Sequence, residues 1–320
     1  QMVVFSWAGK TPQCSMGEWY FPMSFDTKVP LGAPAGTFST GNRAALVNWE
    51  NSADTVVNRG GYCRNTVPDT TTYPDNLSGQ IDSTKVCLSD PAYFTVSSVF
   101  QVSSQKGVTG QLDSGTYQFS GSTNVATTVR GGTMMWQAKV TNQGNVDVTN
   151  IDIIDILPTQ DNGSNTGVGT GTPMGSTWTP YFIAPITPPA GGTVYYSTDQ
   201  NPCRPNIVTV PGCQVMTTLP AGVAQSIPGE WSTVLPSAPK TVRSFRINFG
   251  SYKLGGAQSV TFSWPMTAPA DAPLASNGAD NIAATVDDSN VAWNTFGYSL
   301  TRTDNGDTSA SAPTRVGIIV

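Results

Sequence analysis

TMMWQAKVTN (133–142), NQGN (142–145) and VDVTNIDIIDIL (146–157) run on from one another and read as strand, turn, strand. Both flanks alternate apolar and polar residues, the period of a half-buried strand. The glycine between them suits a tight connection that needs positive φ. Working outward, the same period returns. RSFRINFGSYKL (243–254) puts Phe245, Ile247 and Phe249 on one face, and SVTFSWPM (259–266) does so with Val260, Phe262 and Trp264. VAWNTFGYSLTRT (291–303) and RVGIIV (315–320) complete the set. Helical periodicity is nearly absent. NRAALVNWENSA (42–53) fits a short helix and a strand equally. The expected fold is all-β, an antiparallel sandwich, either one elaborated unit or two small ones.

Composition agrees. The chain has 320 residues with 32 Gly and 24 Pro, and only 12% are charged, against roughly 25% in an average soluble protein. That excludes a Glu/Lys-rich helical protein. A net charge of −5 with no basic run argues against nucleic acid and anionic membranes as partners. No stretch reaches the ~20 apolar residues of a membrane span. There is no histidine, which excludes Ser-His-Asp and Cys-His nucleophiles and imidazole zinc sites. A carboxylate-only glycosidase would need two acids about 5 to 9.5 Å apart in a cleft, and no motif marks such a pair. The expectation is a protein without enzymatic activity and without a cofactor, a calcium ion excepted.

Five cysteines are present and none forms a C-x-x-C pair. Cys63 and Cys87 bracket one turn-rich stretch and Cys203 and Cys213 another, so two local disulfides are expected, with Cys14 free or joined to another chain. The chain opens on Gln rather than Met, so the expectation is a mature form whose secretion signal has been removed and which carries no wall-sorting tail. A boundary is expected near residue 91. It separates an aromatic, turn-rich, β-rich N-terminal domain (1–91) from the sandwich region (92–320). The Gly/Thr/Ser stretch at 160–175 would divide that region if two sandwiches form.

RGGTMMWQAKVTNQGNVDVTNIDIIDILP (130–158) resembles a conserved-repeat Ig-like module of Gram-positive, actinobacterial-type surface proteins. Segment 94–113 resembles the strand that opens such a unit, and 176–203, 241–273 and 292–320 follow in the order such proteins use, so the resemblance covers about 92–320. It implies an Ig-like sandwich that is secreted and either cell-wall associated or displayed at the cell surface. Such a protein serves as a stalk, an adhesin or a filament subunit. Some sandwiches of this kind carry a Lys–Asn isopeptide bond promoted by a buried acid. Asn294 is the candidate amide, Lys106 and Lys139 the candidate amines, and Asp152 and Asp155 the candidate acids. The chemistry needs a neutral amine and a protonated acid, and burial favours both.

Other constellations carry less. Asp304, Asp307 and Asp161 lie in Asp/Asn-rich loops that could offer oxygen ligands to calcium, although none has EF-hand spacing. Trp19 and Tyr20 form the aromatic pair best placed to be exposed to a carbohydrate. The leading functional reading is a structural extracellular protein, a stalk or pilus-like filament subunit that self-associates. Strand addition by QMVVFSWAG (1–9) or RVGIIV (315–320) is one way to build such a filament. The alternative is an adhesin for a carbohydrate or host-matrix ligand.

Overall fold

The structure is a computed structural model and describes residues 30, 32–42, 45–46, 87–88, 92–160, 174–189, 191–204, 207, 230–275 and 290–320. In chain order the strands are β1 (Gly36–Asn42), β2 (Ala45–Leu46), β3 (Cys87–Leu88), β4 (Ala92–Val96), β5 (Val102–Gly110), β6 (Gln118–Phe119), β7 (Ala126–Thr127), β8 (Thr133–Asn142) and β9 (Val148–Ile156). They continue as β10 (Tyr181–Phe182), β11 (Thr193–Ser197), β12 (Ser244–Asn248), β13 (Ser259–Thr267), β14 (Ala292–Asn294), β15 (Phe296–Arg302), β16 (Thr308–Ser311) and β17 (Val316–Ile319).

Two five-stranded antiparallel sheets, ordered β10-β13-β8-β5-β6 and β11-β12-β9-β15-β16, face one another. A smaller sheet, β14-β17-β7, joins the same core. Strands from before and after 160–175 sit in both large sheets and share that core. The alternation has a direct physical outcome. Phe245 and Ile247 of β12 and the adjoining Phe249 point inward with Val260, Phe262 and Trp264 of β13. Across the gap Phe245 meets Trp264 edge to face, with centroids 4.7 Å apart. Each such buried side chain contributes about 1.5–3 kcal/mol relative to an exposed one.

Strand β9 departs from simple alternation. Ile151 and Ile153 enter the main core, while Ile154 and Ile156 are buried on the opposite face against Ile207 and Trp231. The expected helix-or-strand at 42–53 lies mostly outside the described residues, and Ala45–Leu46 within it is strand. Gly144 is not among the glycines with positive φ. Its role is close approach instead, because a Cβ there would lie 2.2 Å from the carbonyl oxygen of Val99.

RVGIIV is no free donor strand: β17 pairs with β14 on one edge and β7 on the other, at the centre of its sheet. A strand already paired on both edges would have to break its own sheet to complete a neighbour's. The other candidate donor, residues 1–9, lies outside the described residues. On β17, Gly317 lies opposite Trp293, and an added Cβ would come within 2.4 Å of Val291 Cγ1 and 2.8 Å of the Trp293 ring. Gly317→Ala is therefore expected to destabilise the fold by about 1–3 kcal/mol through overpacking, visible as a lowered melting temperature by calorimetry.

Candidate functional site

A lysine stands where β5 should present an apolar residue. Lys106 points into the core one inward position from Val108 and pairs in register with Ala138 of β8. The small partner leaves space that the lysine stem and neighbouring rings occupy. Lys106 is completely buried. Its Nζ lies 4.0 Å from the centroid of Trp264, 5.2 Å from Trp136 and 5.9 Å from Phe296. The indole N–H groups of Trp136 and Trp264 have no hydrogen-bond partner. The amine thus sits in an aromatic enclosure that offers almost nothing polar.

The exception is Asp155 on β9, also fully buried. Lys106 Nζ donates to its Oδ2 and forms an ion pair with it. Asn294, the last residue of β14 and equally buried, donates from Nδ2 to Asp155 Oδ1 at 3.0 Å. One carboxylate therefore holds the amine on one oxygen and the carboxamide on the other. The three side chains come from three different sheets. The carbonyl oxygen Oδ1 of Asn294 has no hydrogen-bond partner. A half-turn of the carboxamide would place that oxygen against Asp155, where a protonated acid could donate to it.

Burial drives both charges toward neutrality. It lowers the Lys106 pKa from 10.5 to about 8, although the charge and hydrogen bond of Asp155 oppose the fall. It raises that of Asp155, opposed by the charge of Lys106 and by hydrogen bonds from Lys106 and Asn294. A proton passed from amine to acid leaves an uncharged nucleophile beside an uncharged acid. That is the state from which an amine can attack an amide carbon.

The remaining sequence candidates lie elsewhere. Lys139 is half-buried on the opposite face of β8 from Trp136 and Ala138, paired in register with Gln105 and Thr261, so it is not an amine of this site. Asp152 faces away from Lys106 because it is three residues from Asp155 on one strand. It accepts from Arg246 Nε at 2.6 Å, so its charge is committed there. The expected calcium loop is also committed. Asp304 accepts two hydrogen bonds from Arg302, at 3.0 and 2.7 Å, and Asp307 accepts one from Asn305 at 2.6 Å. Hydrogen bonding from Arg302 holds the Asp304 carboxyl below its usual range. Among the described residues no group of three His, Cys, Asp or Glu could hold a metal ion. Asp161, Trp19, Tyr20, Cys14, Cys63 and Cys213 lie outside the described residues, and Cys87 is described only as part of β3. Cys203 is buried and disulfide-bonded, and its N–H donates to Glu230 Oε1 at 2.7 Å.

Three residues near this architecture were not anticipated. Arg204 is buried, bonds Asn201 Oδ1 and the Pro202 carbonyl, and has its pKa lowered to about 10 by burial. Arg315 covers Trp293 at 4.3 Å and donates to the Met174 carbonyl. Ser176 bonds the backbone of Trp293. Nothing in a Gly/Thr/Ser-rich stretch distinguishes Ser176 from its neighbours.

No family model matches the chain, and no curated protein does. Among solved structures it is similar to a membrane-anchored protein of Corynebacterium diphtheriae, with 12% identity and a TM-score of 0.27, over 69% of this chain and 36% of that one. It is also similar to BcpA, the major pilin subunit of Bacillus cereus, with 9% identity and a TM-score of 0.28, over 72% and 50%. A third is AvmM, which catalyses macrocyclisation in alchivemycin A biosynthesis, with 10% identity and a TM-score of 0.20, over 70% and 91%. The chain matches about a third and a half of the length of the first two. At such scores the likeness transfers no function, and the site has to be read from its own geometry.

Proposed function

We infer that this protein is a structural, load-bearing surface module that hardens its own sandwich with a covalent bond between Lys106 and Asn294. The observation that carries this reading is the sharing of one buried carboxylate by a buried lysine and a buried asparagine. In the reaction, the neutral Lys106 amine attacks Cγ of Asn294 while protonated Asp155 donates to the developing oxyanion. Asp155, now a carboxylate, takes a proton from the attacking nitrogen and passes it to Nδ2; as the carbonyl re-forms, the hydroxyl proton returns to Asp155 and Nδ2 leaves as ammonia. One C–N bond forms, one breaks, and no oxidant or water is consumed. The reaction occurs once per chain, so the protein is a structural element rather than an enzyme with turnover. A stalk or filament subunit at the cell surface is the setting in which such a bond is useful. The adhesin alternative rests on Trp19 and Tyr20, which lie outside the described residues, whereas Trp136, Trp178, Trp264 and Trp293 are buried.

The test is mass spectrometry of the intact, reduced chain. Wild type is expected to be lighter than its sequence by one ammonia, and Lys106→Met and Asn294→Ala are expected to retain it. Cyclisation of Gln1 would lighten all three alike and cancels in the comparison. Digestion should yield one branched peptide joining 106 to 294. The coupling rate is expected to be bell-shaped in pH. A second proton on the pair charges the amine, and loss of the shared proton, as pH rises through about 8, removes the acid. Wild type with linear peptides at both positions would end this reading.

A further inference from the structure

Asn294 can react only if β14 delivers it to Asp155, and β14 is a three-residue strand. It pairs with β17 on one edge alone. On the other edge runs the segment around 174–178, which forms no strand of its own. One side chain there substitutes for a strand. The Ser176 hydroxyl accepts from Trp293 N–H at 3.0 Å and donates to Trp293 C=O at 3.0 Å. It thereby closes both backbone groups of the residue immediately before Asn294. Ser176 is buried, so water does not replace it. Its neighbours extend the contact: Thr177 N–H donates to Val291 C=O at 3.1 Å, and Trp178 Nε1 donates to Asn290 C=O at 2.8 Å. The Trp293 ring lies on the face opposite Asn294, in a satellite cluster with Met174 and Val291.

We propose that Ser176 is a positioning residue for the Lys106–Asn294 coupling. By holding both polar groups of the Trp293 peptide backbone it fixes the height and turn of β14, and so keeps the Asn294 carboxamide on Asp155. It touches none of the reacting atoms. The inference rests on the covalent reading above and deepens it by identifying what aligns the amide. Without the hydroxyl, two buried backbone groups lose their partner at the residue that adjoins the reacting one, and β14 is free to shift. A misplacement of about 1 Å between reacting groups can cost 10²-fold in rate.

The experiment follows intact mass against time in protein made by cell-free synthesis, across a range of pH, with rates normalised to the folded fraction by near-ultraviolet circular dichroism. Wild type loses one ammonia; its failure to do so would remove the covalent reading itself, which separates that outcome from those that follow. Ser176→Ala is expected to couple at least about tenfold more slowly, with the pH bell unmoved because neither titrating group has changed. Ser176→Thr, which keeps a hydroxyl, is expected to couple faster than Ser176→Ala. Ser244→Ala is the control, since it also deletes a buried hydroxyl bond, from Ser244 Oγ to Asp199 C=O at 2.9 Å, but on β12. It should couple as wild type does. The inference is overturned if Ser176→Ala keeps the wild-type rate, if Ser244→Ala slows coupling equally, or if Ser176→Thr is no faster than Ser176→Ala.

Discussion

Pulled from its two ends in a force spectrometer, with its disulfides reduced, the coupled protein is expected to withhold roughly 620–680 Å of contour length that Lys106→Met releases. The size follows from where the bond lies. Force entering from the N-terminal side reaches Lys106 on β5, crosses to Asn294 on β14, and leaves through β15, β16 and β17. The chain between positions 106 and 294 is bypassed, and it includes β6 to β13. At about 3.3–3.6 Å per extended residue, that segment accounts for the missing length. Hydrogen-bonded sheets yield to load because their bonds break a few at a time, whereas a C–N bond does not yield on the same scale of force. Lys106→Met keeps an apolar stem of similar length in the aromatic enclosure, so the variant should fold and then extend completely. Equal extension of wild type and variant would show that no covalent path links β5 to β14.

The sandwich was legible because burial on one face imposes a period of two, and Phe245, Ile247 and Phe249, like Val260, Phe262 and Trp264, obey it. The set Lys106, Asp155 and Asn294 was legible by residue type only. Asp152 and Asp155 are separated by an odd number of residues on one strand, so they had to face opposite ways. Which one faced inward was hidden by Ile153 and Ile154, since both faces of β9 are buried and two adjacent isoleucines fit either phase. Lys106 and Lys139 posed the same problem, resolved by the register of β5 on β8. Gly144 signalled a turn but is required by the nearness of Val99 rather than by positive φ. Ser176 left no trace in the sequence because its role depends on a strand more than a hundred residues away, and loop serines are common.

Asp155→Ala is expected to be the most damaging single change at the site, worse than Lys106→Met although neither variant can couple. Both forfeit the bond, so the difference between them isolates what Asp155 does for the buried amine. Lys106→Met leaves an acid that burial already pushes toward its neutral form, still hydrogen-bonded to Asn294. Asp155→Ala leaves an ammonium among Trp136, Trp264 and Phe296 with its counter-ion gone. Stranding a buried charge in this way costs about 3–5 kcal/mol, or on the order of 10 °C in melting temperature. The amine can escape part of that cost by losing its proton. Asp155 is what raises its pKa, so in the variant the value falls further below the about 8 it has beside the carboxylate. The unfolded chain keeps the ordinary value of 10.5. Between those two values the unfolded state binds more protons than the folded one, and stability must therefore rise with pH up to about 10.5. Below the folded pKa the full penalty remains. Replacing the pair together, Lys106→Met with Asp155→Leu, removes both charges and should recover most of the loss without restoring the ammonia deficit. Chemical melts of the three variants at neutral and alkaline pH decide it. If Asp155→Ala matches Lys106→Met at neutral pH, and gains nothing on going alkaline, then the lysine is not held as a charge in a dry enclosure and the chemistry assigned to it fails.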